Sequence, residues 1–279
     1  MFFYKNILYK KQIKKRGGIM MKKYISIISA IIMSVSLVGC SNNNSEETIK
    51  YQDVKFVEDV EKAFVSRNNY VEKVDKGKIS VDSNLDYLTE CVEKELSILS
   101  IYKDGVFSDV QIRRLANEYI KGLEMQKNSL KYYNSDYSKY EIEWGAGYDI
   151  RCTALIELVD NYGVNIEEER IRDLRTNAQV VKEEAEFERK IEEMLKDVKF
   201  EKTKDDYGLK YYSAIIENTS GKSFSNFNLN IKLLDSDGVV IENQWAYANN
   251  WALNEKVKFE FMTMSKFHSL EWEYDYIEK

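Results

Sequence analysis

Apolar residues recur every three to four positions through residues 51–198, which is the period of amphipathic helices. Glycines and polar turn residues interrupt the pattern four times, so five helices are predicted. They begin at about Tyr51, Ser83, Ser108, Ser138 and Ile166. The apolar positions of the last helix are Ile171, Leu174, Ala178, Val181 and Ala185. Its opposite face is strongly charged, and we interpret that face as solvated, a partner-binding helix being the alternative.

The fourth predicted helix contains the segment Trp144-Gly145-Ala146-Gly147. Two glycines within one helical turn cost about 2 kcal/mol relative to alanine. A helix tolerates this cost where it bends or where another backbone must come close. The sequence therefore predicts a kink or a close helix crossing at this position.

From Lys199 onward, apolar and polar residues alternate instead of following a helical period. The predicted strands cover residues 209–216, 224–233, 239–241, 257–261 and 270–274. Short strands that are separated by turns, with no helix between them, are typical of an antiparallel sandwich. The predicted fold class is α+β, with an all-α helical bundle over residues 50–198 and an Ig-like β-sandwich over residues 199–279.

Two stretches of the predicted sandwich resemble the FxLYD domain, a small Ig-like sandwich that is common in lipoproteins and secreted proteins of Gram-positive bacteria. They are Ile216-Glu217-Asn218-Thr219-Ser220-Gly221-Lys222-Ser223-Phe224 and Ile231-Lys232-Leu233-Leu234-Asp235-Ser236-Asp237-Gly238-Val239-Val240. In the motif that names the family, Leu233 and Asp235 match, whereas Ile231 and Leu234 stand at its Phe and Tyr positions. The family brings no catalytic activity, so the resemblance implies a binding or spacer module. The helical segment resembles no family.

A short apolar run over residues 24–38 follows the basic start Met21-Lys22-Lys23 and ends in Leu37-Val38-Gly39-Cys40. This is the layout of a secretory signal peptide, and the run is shorter than the ~20 residues of a membrane span. The last four residues resemble the lipobox of bacterial lipoproteins. In those proteins the chain is cut before the cysteine, whose thiol is acylated. The resemblance implies a lipid on Cys40 and a recognition sequence formed by Leu37, Val38 and Gly39.

The leader predicts where the protein is located. We expect a signal peptide over residues 1–40, a flexible tether over residues 41–49, and a lipid anchor on the outer face of the cytoplasmic membrane. The host is predicted to be a Gram-positive bacterium. Arg16-Gly17-Gly18 would be encoded by purine-rich codons that read like a ribosome-binding site. The predicted translation start is therefore Met20 or Met21.

Removal of the leader changes the charge of the protein. Of 41 basic and 47 acidic residues, eight basic and no acidic ones lie within residues 1–40, which leaves a mature chain with a formal net charge of −14. An acidic surface argues against nucleic acid as a partner and against a polybasic grip on anionic lipid. Attachment to the membrane is therefore assigned to the lipid alone.

Two cysteines, Cys91 and Cys152, remain besides Cys40. The predicted location outside the membrane permits a disulfide between them. Two buried free thiols that behave as small apolar residues are the alternative, and sequence spacing does not decide between the two.

Two groups of aromatic residues are candidates for ligand binding. Trp245, Tyr247 and Trp251 lie in residues 244–254, an Asn-rich stretch that we interpret as an exposed loop and predict to bind the ligand. The second group alternates along one strand, and we assign it to the core, with binding of sugar or peptide as the alternative. This group comprises Trp272, Tyr274 and Tyr276.

The sequence predicts no metal site, no cofactor and no catalytic residue. His268 is the only histidine, and the segment Asp235-Ser236-Asp237-Gly238 lacks the acid that a calcium loop needs at its twelfth position, which is Ala246. The predicted function is a non-enzymatic cell-surface module that binds an extracellular protein, peptide or wall component. The alternatives are a carboxylate-dependent wall or peptide enzyme in the helical segment, and a structural stalk or assembly factor.

Overall fold

A computed structural model describes residues 50–279, which divide into two compact units, residues 50–184 and residues 185–279. The predicted signal peptide, the lipobox with Cys40 and the tether lie outside the described residues. Within the described part of the chain, no helix combines the length and apolar character that a bilayer span requires.

Five helices precede six strands, which confirms the predicted α+β class. The helices are α1 (Asp53–Asp75), α2 (Asn84–Leu99), α3 (Val110–Ser129), α4 (Tyr137–Tyr162) and α5 (Glu168–Leu195). Single 3-10 turns, Ser100–Tyr102 and Leu130–Tyr132, follow α2 and α3. The side chains of Ser83, Asp109 and Asp136 each accept a backbone N–H at the start of α2, α3 and α4, and so fix where these helices begin.

The helical unit contains the close crossing that the glycines of α4 predict. A Cβ atom on Gly147 would lie 2.6 Å from the carbonyl oxygen of Gly122 on α3, and a Cβ atom on Gly122 would lie 2.7 Å from the carbonyl oxygen of Gly147. Real Cβ atoms do not approach backbone this closely. The two glycines therefore allow α3 and α4 to pack backbone against backbone, which confirms the crossing.

The strands form two antiparallel three-stranded sheets, with strand orders β1-β2-β5 and β4-β3-β6. Their bounds are β1 (Glu201–Asp206), β2 (Leu209–Glu217), β3 (Phe224–Leu234), β4 (Val240–Trp251), β5 (Lys256–Thr263) and β6 (Ser269–Glu278). The buried side chains of both sheets form one apolar core, so the predicted sandwich is present.

Two strands differ from the sequence prediction. Strand β4 continues through most of the stretch that we predicted as a loop, and that prediction is wrong. Ala246 and Ala248 face the core while Trp245 and Tyr247 face solvent, so the alternation is present with small residues inside. Strand β1 was not predicted because five of its six residues are charged. Its pairing with β2 supplies the hydrogen bonds that its side chains do not predict.

The last helix contributes to both units. Ile171, Leu174 and Ala178 are buried in the core of the helical unit, whereas Phe187, Ile191 and Leu195 belong to the core of the sandwich. No residue from 179 to 186 is buried, so the predicted apolar positions Val181 and Ala185 do not belong to either core. The compact unit that holds the sheets consequently begins at Ala185, before the change of period at Lys199.

Candidate ligand-binding face

The outer side of the β4-β3-β6 sheet presents aromatic and amide side chains in neighbouring rows. On β4, Trp245 and Tyr247 are 63% and 62% exposed. They stand directly opposite Asn230 and Asn228 of the central strand β3. Residues two apart on a strand point to the same side and lie about 7 Å apart. The two rings therefore form a fixed pair beside a row of amides.

Hydrogen bonds hold the amide row in place. The Nδ2 atoms of Asn228 and Asn230 donate to the two carboxylate oxygens of Asp275 on β6, at 2.7 and 3.0 Å. At one end of the row, Asn226 Nδ2 donates to Asn249 Oδ1 on β4 at 3.0 Å. Because neighbouring strands hold both partners, these side chains are preorganised and their remaining acceptors and donors face the outer side of the sheet.

Sequence reasoning missed this row. Asn226, Asn228 and Asn230 occupy every second position of β3, and Asp275 lies two strand positions from Glu273. Asparagine is uncommon inside strands, so its recurrence with the strand period was a usable signal. It indicates a face where polar side chains are held together, not a turn.

Trp251, the third residue of the predicted binding group, does not share this face. It is fully buried, and its ring contacts Phe224, Phe227 and Phe259 at centroid distances of 5.2–5.8 Å. Its indole Nε1 donates to the carbonyl oxygen of Glu255 at 2.9 Å. The placement of Trp251 in an exposed loop is therefore wrong, because β4 ends with its side chain turned into the sandwich.

The two tryptophans of β4 should respond oppositely to truncation. We expect Trp251→Ala to lower the free energy of unfolding by about 3–5 kcal/mol, because it removes a large side chain from the core. Trp245→Ala should change that free energy by less than about 0.5 kcal/mol, as surface substitutions do. Urea denaturation followed by far-UV circular dichroism measures both. Similar losses for the two variants would contradict the assignment of faces.

The alternating aromatics of β6 pack against the core, as the sequence analysis expected. Trp272, Tyr274 and Tyr276 are half-buried on the inner side of the sheet. The hydroxyls of Tyr274 and Tyr276 donate to the two carboxylate oxygens of Glu188, both at 2.7 Å. Burial, reinforced by these bonds to a carboxylate, raises the pKa of both phenols. The end of α5 thus shares a polar contact with β6 as well as an apolar one.

Cys91 and Cys152 are buried free thiols in the structure. Burial raises the pKa of both, and that of Cys152 rises to about 11. A thiol with a raised pKa holds little thiolate and reacts slowly. Of the two alternatives that the sequence left open, the structure has the two buried free thiols.

A buried charge cluster joins four helices of the helical unit. Glu95 of α2 is fully buried and accepts hydrogen bonds from Arg67 of α1, Arg151 of α4 and Tyr119 of α3, at 2.8, 2.5 and 2.5 Å. Burial alone would raise the pKa of the Glu95 carboxyl, but the two guanidinium charges lower it. The cluster is therefore an ionised structural crosslink.

The helical unit also has a surface groove of about 500 Å³ between α2 and α3. Its two carboxylates are paired: Glu124 with Lys103 at 2.7 Å, and Glu93 with Lys127 at 2.5 Å. A catalytic acid would instead need a carboxyl kept neutral by an apolar environment. Across residues 50–279, no group of three or more His, Cys, Asp or Glu side chains is arranged to hold a metal ion.

Comparisons with protein-family models, with curated proteins and with solved structures give no significant match for this chain. Its function therefore has to be argued from its own residues.

Proposed function

We propose that this chain is a lipid-anchored cell-surface module that binds an uncharged polysaccharide through the outer face of its β4-β3-β6 sheet. The observation that carries the proposal is the exposed pair Trp245 and Tyr247 beside the braced row Asn228, Asn230 and Asp275. Because this aromatic pair lies within a strand and not on a loop, it is held rigidly. It therefore presents a large contact area at low entropic cost.

Sugar rings suit this combination of groups. One side of a pyranose is lined with C–H groups and stacks on an aromatic face, while its hydroxyls donate and accept hydrogen bonds at the ring edge. Amides supply both functions, and an ionised carboxylate accepts hydrogen bonds. A peptide ligand would fit a concave apolar groove better. The described side chains of this face form a sheet surface without such a groove.

The charge of the face favours an uncharged chain over an anionic one. Glu271 and Glu273 are exposed on β6, next to the amide row. Lys232, two residues beyond Asn230 on β3, already pairs with Glu273 at 2.6 Å. An anionic polymer would approach like charges without a free counter-charge, which is unfavourable.

The proposal joins this face to the expected anchor. A lipid on Cys40, the resemblance of residues 199–279 to the FxLYD domain, and the surplus of acidic residues together support a module held at the outer membrane surface below the cell wall.

Binding is tested by co-sedimentation of the purified chain with insoluble wall polysaccharide. We expect Trp245→Ala and Tyr247→Ala each to weaken binding about tenfold. Loss of one ring stacked on an aromatic side chain costs about 1–3 kcal/mol. Tyr207→Ala is the matched control, since Tyr207 is fully exposed on the β1-β2 turn, away from the face. Unchanged binding in both face variants, with folding intact, would refute the site.

Competition identifies the class of ligand. A soluble uncharged polysaccharide should displace the chain from the insoluble polysaccharide, whereas peptides released from wall material should not. Displacement by the peptides alone would show that the face binds peptide and would overturn the polysaccharide assignment.

The anchor has its own test. Cys40→Ala should abolish incorporation of a labelled fatty acid and release the protein from the membrane fraction, because no other attachment is expected for an acidic chain. Continued labelling of the Cys40→Ala variant would contradict the assignment of Cys40.

A further inference from the structure

Four exposed apolar side chains surround the point where the described chain begins. Tyr51 and Val54 stand at the start of α1, while Val106 and Val110 stand just before and at the start of α3. Their exposed fractions are 53%, 74%, 51% and 72%. We call these four residues the entry patch. Single exposed apolar residues are ordinary, but a group of them at one place indicates an interaction surface.

The entry patch is one surface because hydrogen bonds lock the two helix starts together. The backbone N–H of Gln52 donates to the carbonyl oxygen of Val106 at 2.9 Å. The Asp53 carboxylate accepts the backbone N–H of Ser108 at 2.9 Å and that of Asp109 at 2.8 Å. Each member of the patch is thus a bonded residue or the direct neighbour of one.

The segment that precedes the patch is unsuited to cover it. Residues 41–48 are Ser, Asn, Glu and Thr, and Ile49 is the single apolar residue before Lys50. Polar side chains lose hydration without gain when they are placed on apolar surface. The occupant must therefore come from elsewhere, and the chain length limits how far away it can be.

An anchored bilayer would lie within reach. Ten residues, 41–50, separate Cys40 from Tyr51, and ten residues span at most about 35 Å when fully extended. A lipid on Cys40 would therefore keep the entry patch within about 35 Å of the membrane surface. Apolar side chains that reach the surface gain stability by entering the boundary between headgroups and acyl chains.

We propose that the helical unit rests on the outer surface of the membrane with the entry patch inserted among the lipid headgroups. Lys50 and Arg113 are exposed beside the patch and suit phosphate groups. The acidic neighbours Asp53 and Asp109 are occupied by backbone N–H groups at the two helix starts. The inference rests on the lipid anchor of the proposed function and does not depend on polysaccharide binding.

A matched pair of tryptophan reporters tests this orientation. Val110 and Tyr137 are 72% and 54% exposed in the same unit. Val110 is the first of the 20 residues of α3 and Tyr137 follows the end of that helix, so they stand at opposite ends of a helix about 30 Å long. The ion pair between Arg114 and Glu157 confirms that α4 returns beside the start of α3, away from Tyr137. Val110→Trp and Tyr137→Trp thus report on the two ends.

The lipidated full chain is placed in phosphatidylglycerol–phosphatidylcholine vesicles with brominated acyl chains, which quench tryptophan at short range. The four native tryptophans are common to both variants, so the emission of the wild-type chain is subtracted. We expect the added emission of Val110→Trp to fall at least twofold relative to vesicles without bromine, and that of Tyr137→Trp to stay unchanged. Equal quenching at the two positions, or stronger quenching at Tyr137→Trp, would overturn the orientation.

A further variant separates insertion from tethering. Val54→Asp and Val106→Asp, added to Val110→Trp, should remove the quenching while the chain stays in the vesicle fraction. Quenching that survives both aspartates would refute insertion of the patch. Recovery of the chain outside the vesicles would show that it lacks the anchor, which also overturns this inference. The polysaccharide assay does not depend on that result.

Discussion

Replacing Glu95 by alanine should lower the free energy of unfolding of the helical unit by about 3–5 kcal/mol. The substitution leaves Arg67 and Arg151 buried without a counter-charge, and removal of one partner from a buried ion pair costs this much. Tyr119 also loses the acceptor of its hydroxyl. Because these three residues come from α1, α4 and α3, the loss affects the packing of four helices at once.

A neighbouring carboxylate provides the control. Glu93 lies on the same helix, pairs with Lys127 at 2.5 Å and is 37% exposed. Glu93→Ala should cost at most about 1 kcal/mol, as exposed ion pairs do. Urea denaturation of the full chain measures both variants. Equal losses of unfolding free energy for Glu93→Ala and Glu95→Ala would show that the buried cluster stabilises the fold no more than an exposed ion pair does.

The same cluster predicts a dependence on pH. The folded-state pKa of Glu95 is lowered below its ordinary value of 4.5. Its contribution to stability is therefore complete above that ordinary value and is lost as the pH falls below it. We expect Glu95→Gln to reduce the fall in stability between about pH 5 and pH 3, and an unchanged slope would contradict this assignment.

One residue of this buried cluster, Glu95, has a recognisable pattern in the sequence that we did not use. Glu95 lies three residues after Val92 and four before Leu99, in the middle of an apolar face. A charge at such a position indicates a buried partner of opposite sign. The pattern of one helix does not name that partner, because Arg67 and Arg151 are 28 and 56 residues away. Only the fold brings them together.

The close crossing of α3 and α4 shows the same limit. The cost of two glycines in a helix predicts that a backbone comes near, and the structure confirms this at Gly147. Its partner Gly122 is a lone glycine in α3, and nothing in the local pattern links the two. Local sequence preferences thus predict that another backbone comes close to α4. Which helix supplies that backbone is decided by tertiary packing.

The outer face of β4 was predicted only in part, for a related reason. Large aromatic residues are usually turned inward, so their presence in β4 concealed an alternation whose inner positions are Ala246 and Ala248. With alanines inside, the rings of Trp245 and Tyr247 occupy the outer positions. The position of Trp251 follows from the same alternation after a residue with positive φ, Asn250, shifts it by one place.

Removal of residues 185–198 should unfold the sandwich. A fragment of residues 185–279 is expected to fold cooperatively, whereas a fragment of residues 199–279 should remain largely unfolded under the same conditions. Phe187, Ile191 and Leu195 are 6%, 0% and 5% exposed in the core that includes both sheets. Burial of each such side chain contributes about 1.5–3 kcal/mol, so the three together approach the whole stability of a small domain.

Contacts at the polar side of the helix end add to this loss. Without Glu188, the half-buried hydroxyls of Tyr274 and Tyr276 have no acceptor from α5. The inner side of β6 would then carry both unpaired hydroxyls and newly exposed rings, including the ring of Tyr276 that packs on Phe187 at 5.5 Å. An isolated sandwich would thus lose apolar and polar contacts on the same strand.

Circular dichroism with thermal unfolding compares the two fragments. Arg189→Ala in the longer fragment is the control, because Arg189 pairs with Glu193 on the exposed side of the helix. That variant should melt within a few degrees of the longer fragment. The change in hydrophobic period at Lys199 marks where the strands begin, but a period says nothing about what a helix packs against. If residues 199–279 fold as cooperatively as residues 185–279, the period marks the domain boundary, and the end of α5 is dispensable to the sandwich.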